Sequence, residues 1–109
     1  MDNERLANAL QSAVVAGLGT SNRGVWTDKK LSAPALTASG TVYGHLIELG
    51  PASAGWVDQP SQMPGALVEP LFLTNEAEAR LASDPAGQAR IAAALQAGLQ
   101  KYFAAPERT

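Results

Sequence analysis

The sequence contains no cysteine and a single histidine, His45. The missing cysteine excludes disulfides, thiolate nucleophiles and cysteine-ligated zinc sites, and it leaves the redox compartment undetermined. Positive charge is scarce as well, because 8 Lys and Arg stand against 10 Asp and Glu, and no basic cluster is larger than the pair Lys29 and Lys30. This balance argues against a protein that binds nucleic acid through electrostatic contacts.

Long hydrophobic runs are also absent. The apolar stretches are far shorter than the roughly 20 residues that span a bilayer. The first six residues carry acidic groups where a signal peptide has a basic region. We therefore expect neither a membrane span nor an export signal in this sequence. Its 109 residues, 46% hydrophobic and 17% charged, fit one globular domain or part of one.

The apolar spacing predicts helices near both ends of the chain. Near the start, a stripe at three- and four-residue steps predicts a packing helix over residues 2–18, with Gly17 and Gly19 as stop residues. Asn75 and Glu78 have capping-box spacing and predict a short helix. An N-cap residue followed by proline at positions 84–85 predicts the start of the last helix. The apolar stripe of that helix is Ile91, Leu95, Leu99, Tyr102 and Phe103.

Two stretches predict β-strands. Residues 41–49 are rich in β-formers, and residues 66–69 form an apolar run. Strands interleaved with helices predict an α/β fold, a partial three-layer domain with a mostly parallel sheet flanked by helices. Two strands are few for such a sheet, so the chain resembles part of one. We expect its exposed sheet edge to promote self-association.

Glu69 is the first candidate for a functional residue. It ends the apolar run of residues 66–69 and directly precedes Pro70. A carboxylate in an apolar run is costly to bury unless it is paired or lies at an open end. The carboxyl ends of parallel strands are where ligands and catalytic groups collect. The position of Glu69 therefore suggests a role in binding or catalysis.

Three further residues each have two interpretations. Arg23, beside Gly24, can present its donors to a carboxylate or phosphate, or form a surface salt bridge. Trp56 lies in the long connection of residues 50–65, where it can stack on a sugar or peptide or fold back onto the core. His45 is either a hydrogen-bonded structural residue or a functional one, and alone it does not make a metal site.

The stretch of residues 63–75 (Met-Pro-Gly-Ala-Leu-Val-Glu-Pro-Leu-Phe-Leu-Thr-Asn) resembles a known family signature. It is similar to the C-terminal motif of the zinc-dependent N-acetylmuramoyl-L-alanine amidases, which runs roughly Pro-Ala-Val-Leu-Val-Glu-x-Gly-Phe-Leu-Ser-Asn. The resemblance continues through the final helix, with its Ile-Ala-x-Ala-Leu-x-x-Gly-Leu-x-x-Tyr-Phe rhythm over residues 91–103. Upstream, the first helix and the Asn-Arg-Gly-Val turn at residues 22–25 also match the family's order.

The resemblance implies cleavage of the amide between N-acetylmuramic acid and the L-alanine of the peptidoglycan stem peptide. Family enzymes hold one zinc with two histidines and a glutamate, and they use a further glutamate of this motif as the catalytic carboxylate. That glutamate corresponds to Glu69. Zinc with three protein ligands keeps a position open for water and lowers its pKa. The resemblance also implies an extracellular or periplasmic location.

The sequence departs from the family pattern at several points. Pro70 directly follows Glu69, Leu71 replaces the family glycine, and residues 50–65 make a longer link than usual. The zinc ligands of the family lie upstream of the matched region, so we expect neither zinc binding nor amidase activity from this chain alone. The chain then reads as the C-terminal portion of an amidase catalytic domain. The alternative is an inactive or regulatory fragment that binds peptidoglycan without hydrolysis.

Overall fold

The computed structural model describes residues 2–27, 59 and 61–104. Within this part the chain forms three helices: α1 (Asp2–Leu18), α2 (Glu76–Ser83) and α3 (Pro85–Ala104). α1 and α3 pack side by side and run antiparallel. Arg5 Nη1 donates to the Tyr102 carbonyl oxygen at 2.9 Å near one end of the pair, and Arg90 Nη2 donates to the Gly17 carbonyl oxygen at 3.1 Å near the other.

Helix α1 confirms the prediction from the apolar spacing. Its four buried residues are Leu6, Leu10, Val14 and Leu18. The helix runs on through Gly17 and ends at Gly19, which has a φ of +67° and donates its N–H to the Val15 carbonyl oxygen at 2.9 Å. This left-handed conformation costs glycine little. Gly17 has a different role from the predicted one, because a Cβ there would lie 2.9 Å from the Ala94 Cβ.

Helix α3 begins where Asp84 and Pro85 predict it, and Asp84 Oδ1 accepts a hydrogen bond from the Ala86 N–H at 3.3 Å. The face it buries overlaps the predicted apolar stripe in part, because Tyr102 is buried and both Ile91 and Leu95 pack against buried residues shared with α1. Its buried residues are mostly small: Gly87, Ala94, Gly98 and Tyr102. Leu99 is 42% exposed and Phe103 is 76% exposed. The small residues let the helix axes come close together, and the larger side chains of the predicted stripe lie partly at the flank.

Residues 64–72, which we name the Glu69 segment, lie along the α1–α3 pair. Ala66 and Val68 pack against the cluster of Leu6, Leu10 and Tyr102. Leu71 packs against the cluster of Val14, Leu18 and Ala94. The segment therefore follows the direction of α1 and covers both apolar clusters.

The predicted α/β fold is wrong for the described part of the chain, which is helical and contains no β-strand. Exposure does alternate over residues 66–70 of the Glu69 segment: Leu67 and Glu69 are exposed, whereas Ala66 and Val68 are half-buried. This alternation is typical of extended backbone. A strand also needs a neighbour with which to exchange backbone hydrogen bonds, and none is present in the described residues. The other predicted strand, residues 41–49, lies outside them.

Candidate functional site

The Glu69 carboxylate lies on the exposed side of the Glu69 segment, away from the two helices. Its neighbours Val68 and Pro70 are half-buried, and Val68 packs on the α1–α3 cluster that contains Leu6 and Leu10. Within the described residues the carboxylate has no hydrogen-bond or ion-pair partner. The charge of Glu69 is therefore exposed to solvent. Both of its carboxylate oxygens can accept protons or hydrogen bonds.

The Glu69 segment is tied to the helices at both ends. At its start, the Gly65 N–H donates to the Asn3 Oδ1 on α1 at 2.9 Å. At its end, the Phe72 N–H donates to the Glu78 Oε1 on α2 at 3.3 Å. Glu69 lies between these two hydrogen bonds, so its backbone is fixed by polar contacts as well as by the packing of the segment.

The capping box at the start of α2 is confirmed in one half. The Asn75 Oδ1 accepts from the Glu78 N–H at 3.1 Å, which makes Asn75 the N-cap. The reciprocal bond of a capping box would join the Glu78 carboxylate to the Asn75 N–H. Here that carboxylate accepts from the Phe72 N–H, and the Asn75 N–H donates to the Phe72 carbonyl oxygen at 3.1 Å. The cap of α2 thus also holds the end of the Glu69 segment.

Arg23 is brought to the same end of the segment. Its guanidinium carbon lies 4.3 Å from the centroid of the Phe72 ring, which is cation–π geometry. The turn that carries Arg23 is held by Asn22, whose Oδ1 accepts from the Gly24 N–H at 2.8 Å and from Gln11 Nε2 at 3.0 Å. Gly24 has a φ of +81°, a conformation that disfavours other residues.

The structure thus brings two of the predicted site residues, Glu69 and Arg23, to one segment. The third, Trp56, lies outside the described residues, as does His45. Sequence reasoning missed the part that Phe72 plays in linking Arg23 to the Glu69 segment. No sequence spacing signals that contact, because Arg23 and Phe72 are brought together only when the segment packs on α1.

The comparison with family models decides the relationship. The model for N-acetylmuramoyl-L-alanine amidase matches residues 1–101. The chain belongs to this family. No curated protein matches the chain, and no solved structure matches it. Family membership makes the protein amidase-like, with peptidoglycan as the substrate that the family indicates, and because family members act on the cell wall it suggests an extracellular or periplasmic location.

Members of this family are generally zinc-dependent. We therefore asked whether the described residues fit a zinc ion. Among them, no three His, Cys, Asp or Glu side chains are grouped closely enough to hold a metal.

A cavity on the surface is separate from this site. An open cavity of about 220 Å³ lies between α1 and α3. Its lining residues are Arg5, Asn8, Ala9, Ser12, Lys101 and Tyr102, and none of the predicted site residues is among them.

Of the helices in the described ranges, none is long and apolar enough to cross a membrane.

Proposed function

We propose that this chain provides the catalytic carboxylate of a cell-wall amidase, and that Glu69 is that carboxylate. The bond cleaved is the amide between N-acetylmuramic acid and the L-alanine of peptidoglycan. The observation that carries the proposal is the exposed position of Glu69 in a chain that matches the amidase family over residues 1–101. An exposed carboxylate on a well-anchored segment has the access to substrate that catalysis requires.

The reaction needs one group that moves a proton twice. As water attacks the carbonyl carbon of the lactyl group, the Glu69 carboxylate takes a proton from that water. When the C–N bond breaks, the same proton passes to the nitrogen of L-alanine, which leaves as an amine, and the lactyl group is released as a carboxylic acid. Proton transfer by a positioned side chain contributes about 10²–10⁴-fold to a reaction rate.

Substrate binding is the role that we propose for Arg23 and Trp56. Arg23 supports this role because its guanidinium lies on the ring of Phe72, three positions after Glu69. For Trp56 the proposal rests on its place in the connection between residues 50 and 65. We further propose that zinc belongs to the complete family domain and that this chain alone does not bind it.

The test requires a form of the protein that can hydrolyse its substrate. We suggest a chimera in which the zinc-binding portion of an active family member precedes residue 1, assayed on purified muropeptides. We expect Glu69→Gln to lower the rate at least about 10²-fold while the zinc content measured by elemental analysis stays unchanged. Loss of zinc in the variant, or retained activity, would show that Glu69 does not have this role.

Glu76→Gln is the matched control, because it removes the same charge from an exposed residue only seven positions away. Glu76 pairs with Arg80 on the surface of α2 at 2.6 Å, and we expect its variant to keep full activity. The chain of residues 1–109 without the added portion should show no activity and no stoichiometric zinc. If the chimera binds muropeptides and never cleaves them, the non-catalytic alternative is the correct one.

A further inference from the structure

We propose that Arg23, seated on the Phe72 ring, forms a subsite for a free carboxylate of the stem peptide. This inference rests on the proposed function, and it adds the chemical class of the group that is recognised. The subsite binds the part of the substrate that follows L-alanine, whereas Glu69 acts on the amide bond that precedes L-alanine. The two residues would then contact opposite sides of the same alanine.

Within the described residues, the Arg23 guanidinium contacts the Phe72 ring and donates no side-chain hydrogen bond. It stacks on the ring of Phe72, with 4.3 Å between the guanidinium carbon and the ring centroid. A guanidinium stacked on an aromatic face keeps its N–H groups at its edge, where they form a planar fork that matches a carboxylate. Phe72 thus orients Arg23 and leaves the fork open.

The backbone that carries Arg23 is fixed as well. Asn22 Oδ1 bridges the Gly24 N–H and the side chain of Gln11 on α1. On the other side, Trp26 Nε1 donates to the Arg23 carbonyl oxygen at 3.1 Å. An arginine with a fixed backbone and a stacked head group loses less conformational entropy when it binds a ligand than a free surface arginine does.

No acidic residue in the described ranges forms an ion pair with Arg23. The two nearest candidates in sequence beyond Phe72 are both engaged elsewhere. Glu76 pairs with Arg80 at 2.6 Å, and the Glu78 Oε1 accepts from the Phe72 N–H. Arg23 is exposed, so its fork is available to an acceptor from solvent.

The distance to Glu69 fits a peptide substrate. Phe72 follows Glu69 by three positions, which at about 3.3 Å per extended residue separates their Cα atoms by at most roughly 10 Å. In an extended stem peptide, the Cα of the residue after L-alanine lies about one and a half residues, or roughly 5 Å, from the nitrogen of the scissile amide. The side chain of that residue spans the difference, so a carboxylate on it reaches Arg23 while the amide lies at Glu69.

Binding of two soluble probes to the chain of residues 1–109 tests the proposal. One probe is N-acetylmuramoyl-L-alanyl-D-glutamate, and the other is the same compound with both carboxylates converted to amides. Affinity is measured by calorimetry, and the Nε–H resonance of Arg23 is followed by NMR. We expect the carboxylate probe to bind at least about fivefold more tightly, the range of a well-placed exposed ion pair, and to shift the Arg23 resonance.

Three variants make the test specific. Arg23→Gln should remove the preference for the carboxylate probe, and Arg23→Lys should retain only part of it because an ammonium lacks the planar fork. Arg80→Gln, which removes the same charge from another exposed arginine, should leave the preference unchanged. Equal affinity for both probes, no binding of either probe, or an unchanged preference in Arg23→Gln would overturn the inference.

This result is independent of hydrolysis. If Glu69→Gln has no effect in the chimera and Arg23 still distinguishes the two probes, the catalytic proposal fails and the subsite stands. If Glu69→Gln abolishes cleavage and the probes bind equally, the catalytic proposal stands and the subsite fails.

Discussion

The approach of Gly87 on α3 to the backbone of Leu81 on α2 gives a direct test of the fold. A Cβ added at Gly87 on α3 would overlap the Leu81 carbonyl oxygen of α2, and it would lie 2.7 Å from the carbonyl carbon and Cα of the same residue. All three are backbone atoms, so no side-chain rotation relieves the overlap. Gly87→Ala therefore forces the corner between α2 and α3 to open.

The size of the effect follows from two opposing terms. Overpacking of this kind costs about 1–3 kcal/mol. Alanine is favoured over glycine in a helix by up to about 1 kcal/mol, which partly offsets that cost. Because the overlap is with backbone atoms, the overpacking cost lies at the upper end of its range, so we expect a net loss of about 2 kcal/mol in the free energy of unfolding, or a decrease in Tm of roughly 8–10 °C for a chain of this size.

Urea and thermal unfolding followed by circular dichroism would measure this loss. Ala93→Gly, at an exposed position of α3, is the matched control because it reports the helix propensity term alone, about 1 kcal/mol in the opposite exchange. If Gly87→Ala is as stable as the parent chain or more stable, the approach of Gly87 to Leu81 is not as close as described, and the position of α2 would have to be revised.

Two further predictions concern α2 and the exposed apolar surface. Asn75→Ala removes the oxygen that accepts from the Glu78 N–H and should lower the free energy of unfolding by about 1 kcal/mol. Thr74→Ala, at the exposed neighbouring position, should change it little, and equal effects would contradict the assigned N-cap. Separately, the 66% exposure of Leu67 and the 76% exposure of Phe103 lead us to expect self-association. Size-exclusion chromatography with light scattering at increasing concentration should show it, and a monomer at all concentrations would be the contrary result.

The helices were the part of the fold that local sequence signals predicted. Asp84 and Pro85 mark the start of α3, and Gly19 ends α1, because capping depends on neighbouring residues only. The buried face of α3 was predicted in part, since Tyr102 is buried and Ile91 and Leu95 pack against the clusters. Hydrophobic spacing favours large residues as the packing face, whereas Ala94 and Gly98 are buried because they allow close contact with α1.

The predicted sheet was wrong because strand pairing is not a local property. The Glu69 segment has the alternating exposure that β-type residues favour, and its apolar residues face the helices. Whether such a segment becomes a strand depends on a neighbour far away in sequence, and the described residues contain none. The candidate site was likewise predicted only where local sequence signals were sufficient. Sequence analysis proposed Glu69 and Arg23 separately, but the role of Phe72 between them depends on tertiary packing.

The pairing of α1 with α3 has a consequence for the time course of folding. The hydrogen bond from Arg5 to the Tyr102 carbonyl oxygen joins residues 97 positions apart, and Tyr102 completes the cluster that supports Val68 beside Glu69. At a translation rate of about 5–20 residues per second, Tyr102 is synthesised roughly 5–20 s after Leu6 and Leu10. During this interval the apolar face of α1 lacks α3 and is open to chaperones or to other nascent chains. The support for Val68 beside Glu69 is therefore completed only after Tyr102 has been synthesised.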